Sequence, residues 1–159
     1  MRTFTPELLQ QLARYPSWPR TAAELVRIAG WEGAARLISE WRGQEWPVPM
    51  REGGGTPAGI RRYQQLVELI GNSAARRVVA NWRGDRLYVP SLKDVLGDYV
   101  ADQIRSEFDA LLREGYSSPE AVFELGLKYD MTGRWVEILL SEPKAKLKAL
   151  IDEAQGVLF

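Results

Sequence analysis

Residues 25–49, LVRIAGWEGAARLISEWRGQEWPVP, and residues 66–90, LVELIGNSAARRVVANWRGDRLYVP, decide how this chain folds. Aligned without a gap at an offset of 41, they are identical at 10 of 25 positions, where chance gives roughly one or two. The shared residues include Leu25/Leu66, Gly30/Gly71, Ala34/Ala75, Arg36/Arg77, Trp41/Trp82, Arg42/Arg83, Gly43/Gly84 and Pro49/Pro90. Within each copy the apolar residues recur at helical spacing. Ala34, Leu37, Ile38 and Trp41 form one such stripe, and Ala75, Val78, Val79 and Trp82 another. Each unit therefore reads as helix, glycine, helix, Trp-Arg-Gly, a short extended segment and proline. Two units are too few for a solenoid, but they suffice for a pseudo-twofold pair that buries one shared apolar face, an intrachain imitation of a homodimer.

Outward from this repeat, Thr5-Pro6 starts a first helix whose stripe is Leu8, Leu9, Leu12 and Tyr15. Thr21-Ala22-Ala23-Glu24 has capping-box spacing and is expected to open the first repeat helix, with Gly30 as its stop. Trp46 and Val48, with Pro47 and Pro49 beside them, read as an edge strand or no strand, whereas Arg86 to Val89 is the better strand. Residues 51–59, REGGGTPAG, read as a linker, because three consecutive glycines are costly to hold in a helix. Asn72 is the expected cap of the helix after Gly71.

The C-terminal part has a different pattern. Ser91 to Asp94 starts a helical stretch, and Ile104, Phe108, Leu111 and Leu112 continue one up to Gly115. Ser117-Ser118-Pro119-Glu120 is a strong helix start, followed by Val122, Phe123 and Leu125 as far as Lys128. The turn Tyr129-Asp130-Met131 leads to Thr132, a second N-cap, and to Val136, Leu139 and Leu140. Pro143 starts a last helix with Leu147, Leu150, Ile151 and Ala154 on one face. The fold expected is mainly α: a first, diverged dimerisation-type repeat over 1–50, a Gly-rich linker over 51–59, a second repeat over 60–100, and a helix-turn-helix domain with a C-terminal helix over 101–159.

Composition narrows the function. The chain has no cysteine and no histidine, which removes disulfides, thiolate metal sites, thiol nucleophiles and every Ser-His-Asp arrangement. No Asp/Glu cluster has metal-ligand spacing, and the glycines at 53–55 are not followed by a phosphate-loop pattern, so neither an enzyme nor a cofactor is expected. No apolar run is long enough to span a membrane and the N-terminus shows no signal-type core, so a cytoplasmic protein is expected. Residues 118–140 carry the strongest functional signal. A helix of about ten residues, a three-residue turn and a capped second helix give helix-turn-helix geometry, in which the second helix enters the major groove by its N-terminal end. Gly126 sits where the two helices cross closely, and Leu125 and Val136 where they bury their contact.

The second repeat and the C-terminal part resemble the Mor transcription activator family of Mu-like phages and prophages. The resemblance rests on Leu69-Ile70-Gly71, Ala74-Ala75, Trp82-Arg83-Gly84 and Leu87-Tyr88-Val89-Pro90 in the repeat. Farther on it rests on Ile104-Arg105-Ser106-Glu107-Phe108, Glu124 to Tyr129 and Thr132 to Val136. It implies a DNA-binding regulator that activates promoters with host RNA polymerase, paired through a small dimerisation domain. Dimer-type contacts would fall on Leu66, Ile70, Val78, Trp82, Leu87, Tyr88 and Val89. DNA contacts would fall on Arg105, Lys128, Thr132, Arg134 and Trp135, with Lys144 as a further phosphate contact at the start of the last helix. The resemblance leaves open a homodimer or an intrachain pseudo-dimer.

Charge points partly elsewhere. The net charge is zero, and residues 104–159 carry seven basic against ten acidic side chains, whereas residues 51–86 carry seven arginines against three acids. DNA affinity is supplied largely by phosphate neutralisation. An alternative is therefore a protein–protein module on a Mor-like scaffold that targets a host protein, with the tryptophans 18, 31 and 46 as a docking patch if they are exposed.

Overall fold

The structure is a computed structural model and describes residues 3–141. It is mainly helical, with a small two-stranded sheet. The described residues form helices α1 (Pro6–Leu12), α2 (Arg20–Trp41), α3 (Pro57–Ile70), α4 (Asn72–Trp82), α5 (Lys93–Arg113), α6 (Ser118–Lys128) and α7 (Gly133–Ser141), and strands β1 (Glu45–Pro47) and β2 (Arg86–Tyr88). The chain divides into two compact units, Met1–Leu92 and Lys93–Phe159. α5 runs unbroken from Lys93 to Arg113 at the start of the second unit.

In the first unit, α1 is capped as its sequence predicts: Leu8 N donates to Thr5 Oγ1 at 3.1 Å. Thr21, by contrast, does not cap α2. The helix starts at Arg20 behind Pro19, with no side-chain cap. Pro19 takes the N-cap position with an extended backbone (φ −75°, ψ 151°), which sets the entry two residues earlier. Asn72 likewise lies inside α4, with Gly71 at the cap. Residues 51–59 are not a free linker. Thr56 Oγ1 accepts from Gly59 N at 3.0 Å, so Pro57, Ala58 and Gly59 are the first turn of α3. Gly54 is buried and packs backbone to backbone on Gly59.

The backbone is alike at positions 41 apart. Gly30 breaks α2 at φ 78°, ψ 169°, and Gly71 separates α3 from α4 at φ 86°, ψ 167°. Gly43 and Gly84 have φ of 78° and 75°. β1 and β2 pair antiparallel, with Trp46 opposite Leu87. The hydrogen bonds around this pair exchange under the same offset: Val48 N donates to Asp85 O and Val89 N to Gln44 O, each at 2.9 Å. Gln44 N donates to Trp41 O at 3.0 Å and Asp85 N to Trp82 O at 2.8 Å. Equivalent positions also share burial. Leu25 and Leu66, Ala34 and Ala75, Leu37 and Val78, Trp46 and Leu87, and Val48 and Val89 are all buried. Trp41 stacks on Trp46 at 5.3 Å between ring centroids. Of the tryptophans read as a docking patch, Trp46 is buried and Trp18 and Trp31 are half-buried, so none is among the exposed large apolar residues.

In the second unit, α5, α6 and α7 pack on one another. Ala101 and Ile104 of α5, Val122 and Leu125 of α6, and Val136 and Leu139 of α7 make the core. The strong start read for α6 is a complete capping box: Glu120 N donates to Ser117 Oγ at 3.3 Å and Ser117 N to Glu120 Oε2 at 3.0 Å. Ser117→Ala removes one half of this exchange and is expected to cost about 1 kcal/mol. The measurable result is faster amide exchange in the first turn of α6 with that of α5 unchanged.

Candidate nucleic-acid interface

The pair α6 and α7 is joined by a turn that local chemistry explains residue by residue. Tyr129 N donates to Leu125 O at 3.0 Å and Met131 N to Gly126 O at 2.9 Å, which closes the end of α6. Asp130 takes φ 52°, the left-handed region that Asp tolerates better than most residues. Thr132 then caps α7, its Oγ1 accepting from Trp135 N at 3.1 Å. A Cβ at Gly126 would stand 2.9 Å from Met131 O, so only glycine lets the incoming strand of the turn pass this close. Leu125 and Val136 are buried together in the core below the turn.

The candidate contact residues fall into distinct situations. Arg134 lies exposed near the start of α7, with no ion pair among the described residues. Thr132 is exposed at the same end, its oxygen engaged in the cap. Trp135 is half-buried and packs against the core, so of the two orientations open to it the structure has the inward one. Lys128 is exposed but tied down: Nζ donates to Glu107 Oε1 at 2.6 Å, while Tyr129 OH donates to Glu107 Oε2 at 2.9 Å. Arg105 is only 27% exposed in its side chain and pairs with Asp102 at 3.0 Å, one turn earlier on α5. Its Nη2 is buried with no hydrogen-bond partner. Lys144 lies outside the described residues. The structure thus brings Thr132 and Arg134 to one end of α7, joins Lys128 to α5 through Glu107, and sets Arg105 into a half-buried ion pair.

Of the residues expected at a dimer contact, Leu66, Val78, Leu87 and Val89 are buried within the first unit. Ile70 and Trp82 are half-buried, and Tyr88 is exposed. The four buried side chains are packed inside one chain and offer no face to a second. Much of the basic charge also lies in this unit. Arg61 and Arg83 are exposed, Arg76 pairs with Glu52 at 2.7 Å, and Arg86 pairs with Glu45 at 3.1 Å. Arg77 has an internal role that sequence reasoning missed: its Nε donates to Ile28 O at 2.7 Å, tying α4 to the carbonyl end of the first half of α2. Its alignment with Arg36 was the only signal, and Arg36 instead pairs locally with Glu32 at 3.2 Å.

Among the described residues no group of acidic side chains could hold a metal ion, and no helix is long and apolar enough to cross a membrane. No family model, no curated protein and no solved structure matches the chain.

Proposed function

We propose that this chain is a DNA-binding transcription regulator of the Mor type, reading promoter DNA with α6 and α7 and acting with host RNA polymerase. The observation that carries this reading is the arrangement at the start of α7. A capped helix follows a tight turn from a close-packed partner helix, and its exposed first turns carry Thr132 and an Arg134 with no ion pair among the described residues. Backbone N–H groups at such an end suit a phosphate, and an arginine there suits the guanine edge. On this reading Trp135 anchors the reader in its core, and Lys128 and Arg105 position α5 and α6.

The oligomeric part of the proposal is an intrachain pseudo-dimer. What supports it is that β1 pairs with β2 and that residues 41 apart, such as Leu25 and Leu66 or Val48 and Val89, are alike buried. This arrangement leaves one reader per chain and predicts a particle with the mass of one chain, 18.0 kDa. A mass of twice that value in sedimentation would overturn it.

The test is a fluorescence-anisotropy titration with random-sequence and upstream-region DNA at about 50 and 200 mM salt. Arg134→Ala is expected to weaken binding roughly 10- to 100-fold, the equivalent of about 1–3 kcal/mol of base readout. Wild-type binding that falls steeply with salt supports the reading. No binding at the lower salt rejects it in favour of the protein-targeting alternative, which the acidic balance of residues 104–159 favours.

A further inference from the structure

The first unit holds a cleft of about 480 Å³ between the glycine run, the start of α3 and the turn before β2. Its charge is one-sided. Arg51, Arg62 and Arg86 line it, against a single carboxylate, Asp85. Arg51 and Arg62 make no ion pair among the described residues. Arg86 pairs with Glu45, but those side chains are 73% and 58% exposed, and so open a pair holds weakly. Glu52, next in sequence to Arg51, pairs instead with Arg76, which is not in the lining.

The repeat does not require these arginines. The positions 41 residues from Arg51, Arg62 and Arg86 are Leu92, Thr21 and Glu45, so the equivalent end of the module carries no basic set. The wall is also shaped by missing side chains. A Cβ on Gly55 would stand 3.3 Å from Arg51 Cδ and 3.4 Å from its Nε, so the bare backbone seats the arginine stem. Pro47, Pro49 and Met50 add apolar lining, with Met50 65% exposed.

We infer that this cleft binds a phosphate group. Guanidinium forks match phosphate oxygens two at a time. Two unpaired arginines and a third in a weak pair suit a dianion better than a single carboxylate. The volume is that of a small-molecule site and exceeds one phosphate, so the group is carried on a larger molecule whose less polar part meets Pro47, Pro49 and Met50. Two sources share this chemistry: a free organic phosphate and a backbone phosphate of DNA.

The test titrates the full chain with sodium pyrophosphate and with adenosine monophosphate at constant ionic strength, followed by amide and arginine Nε–H NMR shifts. Adenosine is the uncharged control. Saturable shifts are expected at Gly55, Gly59 and the three arginines, with a Kd below about 1 mM. Arg51→Gln and Arg62→Gln are each expected to weaken binding about tenfold, the loss of a charge-assisted bond. Neither side chain holds an ion pair in the described structure, so the fold survives. Arg61→Gln, exposed and outside the lining, is expected to change nothing. Asp85→Asn keeps the Oδ1 that accepts from Arg86 N at 2.8 Å, removes the one carboxylate of the lining and is expected to tighten binding several-fold. No saturable shift up to about 10 mM pyrophosphate would overturn the inference. So would equal weakening by Arg61→Gln and Arg62→Gln, the mark of general charge attraction.

The source is decided by a second arm, which alone rests on the DNA-binding reading. If the cleft takes a DNA phosphate, Arg62→Gln lowers the slope of log affinity against log salt by about 1, and pyrophosphate competes with duplex DNA. An unchanged slope with pyrophosphate still bound assigns the cleft to a free organic phosphate. No DNA binding by the wild type, with pyrophosphate bound, rejects the DNA-binding reading and leaves the phosphate site standing.

Discussion

Gly54→Ala is expected to destabilise the first unit by about 3 kcal/mol, although it replaces a glycine in a Gly-Gly-Gly run. In a free linker the same substitution would be neutral, or would stabilise by about 0.4–1 kcal/mol by restricting the unfolded chain. Here a Cβ would stand 2.2 Å from Gly59 C and 2.3 Å from Ile60 N, and the backbone holds φ 100°. Neither neighbour is the end of a flexible side chain, so the loop must move away from α3. Moving it separates Gly54 from the first turn of α3 and weakens the cap at Thr56. Five of the six tryptophans lie before Leu92, so urea unfolding followed by tryptophan fluorescence reads this unit directly. A midpoint equal to or above wild type would show that residues 51–56 do behave as a linker.

Leu87→Ala should cost about 2–5 kcal/mol, the range for a buried leucine whose cavity cannot collapse. Leu87 is 1% exposed and sits opposite Trp46 in the antiparallel pair. The informative variable is protein concentration. If Leu87 is buried within one chain, the loss of stability is the same at low and high concentration. If it belonged to a contact between chains, the variant would regain stability as concentration rises, by mass action. Unfolding curves taken over a hundredfold range of concentration therefore separate the intrachain pseudo-dimer from the homodimer.

Much of the fold is legible in the sequence because its signals are local. Thr5, Ser117 and Thr132 are read correctly as helix starts, and each accepts from a backbone N–H three residues on. The turn between α6 and α7 is legible for the same reason: Gly126, Asp130 and Thr132 each serve a local backbone requirement. Thr21 and Asn72 are misread because a capping residue states only that a start is possible nearby. Pro19 and Gly71 set the actual entries, through backbone conformations that depend on how the flanking helices pack. Thr56 is missed as a cap because the glycines before it carry the stronger linker signal. The candidate site is legible in part. Arg134 and Thr132 lie where helical spacing puts them, whereas the ion pair from Lys128 to Glu107 spans 21 residues and has no sequence periodicity to announce it.

The sequence by itself determined most of the helices and caps, the repeat at an offset of 41 and the exclusion of thiol and imidazole chemistry, all of which derive from residue type and short-range spacing. Only the tertiary structure decided which repeat faces meet. Trp46 and Leu87, 41 residues apart, come together because β1 and β2 each supply the backbone partners that a single short strand lacks. It also decided that a glycine run is packed rather than loose, and that two of the candidate cations are already paired. Both outcomes depend on atoms distant in the chain or on a neighbouring turn that reach within a few ångströms of each other, which no apolar periodicity encodes.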